Sequence, residues 1–286
     1  VRSKSAALYV FKVVTPSRNG DDVMAFSLLE FFAIPSNLPV INHFTGRSGL
    51  LSELSKHFES KDDDSEKCIV VHGMGGVGKT QLVRKWVEEN KEAYTFVRWI
   101  NAACLKDSLE SFAKLFLIDT TDLDQKSLSF EIQLELQKYE SWLLIYDDFD
   151  DFEAHRDLLP ATLRPKQHIV VTTRERQWNR SKPQIAVPPF TPDEALDFLK
   201  HAFPKDQHHE NYEILYKQLY RWLGRLPLAL HQAVTWSTSN EDVTWSTSDE
   251  DRTWQSKLKK FISLMKEFNE YTTTTTIATP TSSVCE

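Results

Sequence analysis

The chain has 286 residues, long enough to bury a large core in one or two domains. Hydrophobic residues make up 41% and charged residues 26%, ordinary values for a soluble protein, and the net charge of −7 gives no bulk attraction for nucleic acid or an anionic membrane. No apolar run reaches the roughly 18 residues of a membrane span, and the three cysteines (Cys68, Cys104, Cys285) are too far apart for a disulfide framework or a metal cluster, so a reducing, cytoplasmic setting is expected.

The chain opens on Val1 rather than Met, which suggests a processed form, a fragment or a partial reading frame. Residues 1–40 carry apolar runs at 6–14 and 23–34 but no motif. Lys12 interrupts the first run too early for a signal sequence. This stretch is an N-terminal segment of unknown fold.

From 41 to 189, short apolar runs at 68–72, 95–100, 142–146 and 168–172 alternate with helical patterns. A fifth, at 185–187, ends on Pro188-Pro189. That alternation predicts an α/β domain with a parallel sheet. The first run leads into VHGMGGVGKTQLVRKW (71–86). The chain holds only eight glycines, where average usage would give about twenty, yet four of them are Gly73, Gly75, Gly76 and Gly78. Glycine lets a backbone wrap closely around a ligand. The spacing G-x-x-x-x-G-K-T, between a buried strand and an amphipathic helix bearing Leu82, Val83, Trp86 and Val87, predicts a phosphate-binding loop. Its nucleotide-binding residues are then Gly73, Met74, Gly75, Gly76, Val77, Gly78, Lys79, Thr80 and Gln81. Lys79 is expected to face solvent until it meets the β- and γ-phosphates, and the Thr80 hydroxyl to ligate Mg²⁺. The plainer alternative is a glycine-rich turn with an incidental lysine.

The run 142–146 ends on adjacent carboxylates, at the sheet edge where α/β folds bind ligands. Asp147 is expected to hold Mg²⁺, directly or through water, and Asp148 to orient or deprotonate the attacking water. Asp150 and Asp151 read as solvated loop acids. The run HIVVTTR (168–174) ends on Arg174, a cation placed to sense a γ-phosphate, against the bland alternative of a surface arginine.

Beyond Phe190 the pattern turns helical. Thr191-Pro-Asp-Glu194 predicts a capped helix start, 226–236 a second helix, and the stripe Trp254, Leu258, Phe261, Ile262, Met265, Phe268 a third. VTWSTSNED (234–242) recurs as VTWSTSDED (243–251), read as a local duplication, and residues 271–286 form a low-complexity tail expected to be disordered.

These pieces together resemble the NB-ARC-type signal-transduction (STAND) P-loop NTPases, the group of plant disease-resistance proteins and apoptotic protease-activating factors. FTGRSGLLSEL (44–54) resembles the opening motif, with Ser48 where the family carries an acid. FVRWINA (96–102), LLIYDDFD (143–150), VVTTR (170–174) and LGRLPLAL (223–230) follow in family order. The resemblance implies a five-stranded parallel P-loop sheet with flanking helices over 41–189, the 168–172 strand between the strands of the phosphate loop and of Asp147, and a small helical lid over 190–270. It implies that Arg47 and Pro227 line the nucleotide near base and sugar. ADP would hold a resting state, and exchange for ATP with Mg²⁺ would promote assembly with a protein partner or by self-association. Hydrolysis would be weak at most. The family continues into a winged helix and a repeat array, neither readable here, so truncation is expected, with similar affinities for ADP and ATP as its consequence. A turnover ATPase or kinase, or a fragment acting only as a scaffold, remain the other readings.

Overall fold

The computed structural model describes residues 44–59, 67–179, 181–203, 210–238 and 256–263. The N-terminal segment 1–40, most of the nine-residue duplication, both ends of the 254–268 stripe and the tail 271–286 lie outside the described residues. The rest groups into two compact units. One carries Arg47–Gly75 and Lys79–Val187, and the other carries Gly76–Gly78 and the chain from Pro188 on.

In the first unit, five strands, β1 (Cys68–His72), β2 (Val97–Asn101), β3 (Ser141–Asp147), β4 (Lys166–Thr173) and β5 (Gln184–Ala186), form one sheet in the order β2-β3-β4-β1-β5. Every pairing is parallel. β4 thus lies between β1 and β3, as the family resemblance implies. Ile69-Val70-Val71, Leu143-Leu144-Ile145 and Ile169-Val170-Val171 supply the β-branched and leucine runs of strands covered on both faces, and β1 and β3 are buried throughout. The expected strand at 95–100 starts two residues later, although the Phe96 carbonyl still accepts from Leu143 N–H (3.1 Å).

Alternate strand residues serve opposite layers. Val70, Leu144, Tyr146, Ile169 and Val171 share a core with Leu109 and Phe112 of α3 (Leu105–Leu115) and Leu128 and Ile132 of α4 (Gln125–Leu136). α1 (Ser48–Glu59) meets α2 (Lys79–Asn90) through the Trp86 indole, which donates to Ser55 (3.0 Å), and Phe58 of α1 stacks on His168 of β4 at 4.4 Å. Because the strands are parallel, β1, β3 and β4 all end at one edge. The register sets His72 beside Thr173 and Tyr146 beside Val171, so Asp147 comes level with Thr172.

The second unit is helical: α6 (Pro192–Ala202), α7 (Glu210–Trp222), α8 (Pro227–Thr238) and residues 256–263. Phe198, Leu199, Phe203, Tyr216, Leu219, Leu230, Leu258 and Ile262 form its core. Thr191 caps α6 as expected, its hydroxyl accepting from Glu194 N–H (3.1 Å) while the Glu194 carboxylate accepts from Thr191 N–H (2.8 Å). The L-G-R-L-P turn reverses the chain between α7 and α8. Gly224 and Arg225 take left-handed φ values of 61° and 57°, and Arg225 N–H returns to the Tyr220 carbonyl (2.9 Å), tying off the end of α7. Among the described residues no helix is long and apolar enough to cross a membrane.

Candidate functional site

The glycine loop leaves β1 and enters α2 within six residues. Its first N–H, from Gly73, donates to the Thr173 carbonyl at 3.2 Å, which fastens the loop to the end of β4. Gly76 and Gly78 adopt φ of 78° and 92°, a conformation that side chains resist, so the turn requires glycine at both. Val77 is buried and Met74 is exposed. Gln81 lies in the first turn of α2.

Lys79 departs from expectation. It is 6% exposed, and its ammonium donates to the carbonyls of Gly73 (3.0 Å) and Met74 (3.2 Å). The aliphatic stem is covered as α2 begins, and the curled loop turns its carbonyls toward the ammonium. Burial lowers the lysine's pKa. Asp148 and Asp150 oppose that shift, Arg174 adds to it, and Asp147 again opposes it. All five charges therefore share one electrostatic neighbourhood.

The next residue reaches across the sheet edge. Thr80 Oγ1 donates to Asp147 Oδ1 at 2.9 Å, joining the helix after β1 to the end of β3. Thr172 of β4 donates to the same oxygen at 2.5 Å and also accepts the Asp148 N–H at 3.0 Å. One buried hydroxyl thus fixes both carboxylate residues. Burial of Asp147 raises its pKa, the Thr172 and Thr80 hydroxyls resist the shift, Asp148 adds to it, and the Trp99 indole resists it. Asp148 itself is exposed, with its backbone at φ 54°, a left-handed conformation that the Thr172 bond and the Phe149 N–H to Thr172 carbonyl bond (2.9 Å) hold in place.

Among the described residues no group of three His, Cys, Asp or Glu is placed to hold a metal. The donor set at the loop is instead hard oxygen, Thr80 and Asp147. That suits Mg²⁺, which takes one or two protein oxygens and completes its shell with water and phosphate. The Thr80 hydrogen points to Asp147, which leaves the hydroxyl lone pairs for a cation.

Asp150 and Asp151 are not merely solvated acids. Asp150 accepts from the Thr173 hydroxyl, the Arg174 N–H and the Arg174 guanidinium, and Asp151 caps the short helix α5 (Phe152–His155) through Ala154 N–H (3.0 Å). Spacing conceals the partners of Asp150, because Thr173 and Arg174 follow it by more than twenty residues and meet it only through strand adjacency, whereas the Asp151 cap is local. Thr172 was missed for the same reason. Arg47 is buried at the start of α1 with φ 63° in the first unit, and Pro227 opens α8 in the second. The structure thus brings Lys79, Thr80, Asp147, Asp148 and Arg174 to one edge.

Residues 43–188 match the family profile described as the AAA ATPase domain. No curated protein sequence matches significantly. Among solved structures, Cdc6p from Pyrobaculum aerophilum superposes with a TM-score of 0.49 at 16% identity, over 70% of this chain and 62% of that one. A Walker-type ATPase of Pyrococcus abyssi superposes with a TM-score of 0.49 at 15% identity, over 80% of this chain and 75% of that one. The chain therefore spans less than two thirds of the first of these structures.

Proposed function

The chain belongs to the AAA ATPase domain family, and from that premise we propose that it is an NB-ARC-type signalling module that binds ADP or ATP with Mg²⁺ at the Gly73–Thr80 loop and switches on the nucleotide's identity. The observation that carries this reading is the 2.9 Å bond from Thr80 to Asp147, which joins two motifs 67 residues apart. A glycine-rich turn with an incidental lysine has no reason to meet a buried acid on another strand. The finer assignment is supported by motif order, by the Thr172-Thr173-Arg174 strand end, and by the L-G-R-L-P turn that opens α8.

In this reading the loop amides and the N-terminus of α2 take the β-phosphate, and Lys79 exchanges the Gly73 and Met74 carbonyls for phosphate oxygens. Mg²⁺ supplies charge neutralisation between the phosphates when bound. Thr80 would offer it an oxygen, and Asp147, which accepts the Thr80 hydrogen bond, would orient that oxygen and help hold the ion, directly or through water. Asp148, exposed beyond them, stands to orient water. Arg174 meets the γ-phosphate. Arg47 would meet the base or sugar, and the output is a protein partner or self-association.

Thermal unfolding with nucleotide tests this reading. ADP and Mg²⁺ at a hundred times the dissociation constant should stabilise the chain by about 2.7 kcal/mol, and Lys79→Ala should abolish the shift. Equal stabilisation of both proteins would place the ligand elsewhere. A steady-state ATPase rate of many turnovers per second would favour a turnover enzyme over a switch.

A further inference from the structure

Asp150 is held on two sides by one strand end. Its Oδ1 accepts from the Thr173 hydroxyl (3.1 Å) and the Arg174 backbone N–H (2.8 Å). Its Oδ2 accepts from Arg174 Nε (2.6 Å) and from Nη2 of the same guanidinium. One oxygen anchors the carboxylate to β4, and the other takes the cation. The arginine side chain is 65% exposed and the carboxylate 25%. The acceptor is therefore the fixed member of the pair and the guanidinium the movable one. The occupied edge, Nε with Nη2, is one that fits a carboxylate or a phosphate with two parallel bonds.

The pair also stands at the phosphate loop. Thr173, which precedes Arg174, takes the Gly73 N–H on its carbonyl. Asp150 and Arg174 both act electrostatically on the Lys79 ammonium.

We propose that Asp150 is the resting partner of Arg174, a carboxylate that the γ-phosphate of a nucleoside triphosphate must replace, so that the pair tunes discrimination between tri- and diphosphate. The proposal rests on reading Arg174 as the residue that meets the γ-phosphate. An exposed ion pair shifts an equilibrium by no more than a factor of about five. A γ-phosphate brings more charge and three acceptor oxygens, so it can displace the carboxylate, whereas a diphosphate offers nothing at that position. Only such a difference between ligands can bias a two-state protein. Asp150 thereby weakens triphosphate binding modestly and leaves diphosphate binding alone.

Asp150→Asn tests this. The amide keeps an acceptor for Thr173 and for the Arg174 N–H but cannot take the guanidinium. Calorimetry with Mg²⁺ and either ADP or a non-hydrolysable ATP analogue should show analogue affinity rising about three- to fivefold, with ADP affinity nearly unchanged. Asp151→Asn, which removes the same charge one residue away and still caps α5, should leave the ratio of affinities as it is. In an Arg174→Ala background the gain from Asp150→Asn should vanish. An unchanged or lower triphosphate affinity in Asp150→Asn overturns the proposal, as does a gain that persists without Arg174, since that would be charge alone. Should the amide variant not fold, Asp150→Ser gives the same comparison. If Arg174→Ala by itself leaves the ratio unchanged, the γ-phosphate reading of Arg174 has failed and the proposal falls with it. Failure of Asp150→Asn beside a responsive Arg174→Ala overturns the proposal alone.

Discussion

Thr172 shows how much one hydroxyl organises. It donates to Asp147, accepts from Asp148 N–H, and is fully buried between them. Thr172→Val keeps the shape and removes both bonds, leaving a buried carboxylate short of a donor. Urea unfolding should show a loss of about 1–3 kcal/mol, and the Mg²⁺ dependence of nucleotide binding should weaken, with Thr172→Ser restoring both. A variant as stable as the wild type would mean that Asp147 finds another donor. The two acids should separate in function. Asp148→Asn should still bind ATP while any hydrolysis falls about 10²-fold or more, whereas Asp147→Asn should blunt the response to Mg²⁺. Wild-type turnover in Asp148→Asn would misplace the base. Lys79 and Thr80 were legible in the sequence because a phosphate loop demands particular residue types at fixed spacing from glycine, and Asp147 because a carboxylate pair closes a buried apolar run. Thr172 and Asp150 were not, because their partners are set by which strands lie side by side. The burial of Lys79 was misjudged because a motif says what a side chain meets with ligand bound, not where it rests.

At the scale of elements, the end of the sheet away from the loop holds a buried histidine. His168 at β4 shares a 2.7 Å hydrogen bond with the Tyr94 hydroxyl, while its Nε2 lies 3.1 Å from the Pro165 carbonyl, and Phe58 of α1 covers its ring. Burial pushes its pKa down to about 4. The Pro165 bond opposes this, and Lys67 and His57 reinforce it. A folded pKa below the unfolded one means that the unfolded chain takes the proton first. Stability is therefore complete above about pH 6.5 and drains as the pH falls toward 4. Between pH 7 and 5 the loss from this group should be about 2 kcal/mol, read from denaturant midpoints. His168→Gln should lack that component. Identical pH profiles for the two proteins would show that His168 does not stay neutral when folded. In the helical unit, Thr191→Ala should cost about 1 kcal/mol through loss of the capping box, measured the same way. An unchanged midpoint would mean that Pro192 and Glu194 suffice to start α6. That cap was plain in the sequence because its bonds are local. The strands were plain too, since β-branched runs flanked by polar turns allow little else, although their ends shifted by a residue or two where Asp147 and Thr173 continue the pairing as polar residues.

At the scale of the whole molecule, strand order had no local signature. It entered through the resemblance carried by five motifs in sequence, and the β2-β3-β4-β1-β5 sheet agrees with it. That order is what converts scattered residues into a site: β4 between β1 and β3 lets Thr172 bridge to Asp147 and lets Arg174 emerge next to Gly73. The central claim is that this edge binds a nucleotide through Lys79. Titration calorimetry of ADP with Mg²⁺ into the purified chain, beside a Lys79→Ala variant shown to be folded by circular dichroism, tests it most directly. One saturable site per chain is expected in the wild type, with no measurable binding in the variant. A wild-type chain that takes up no ADP, or a variant that binds it with unchanged affinity, would mean that Lys79 and this edge do not hold the nucleotide.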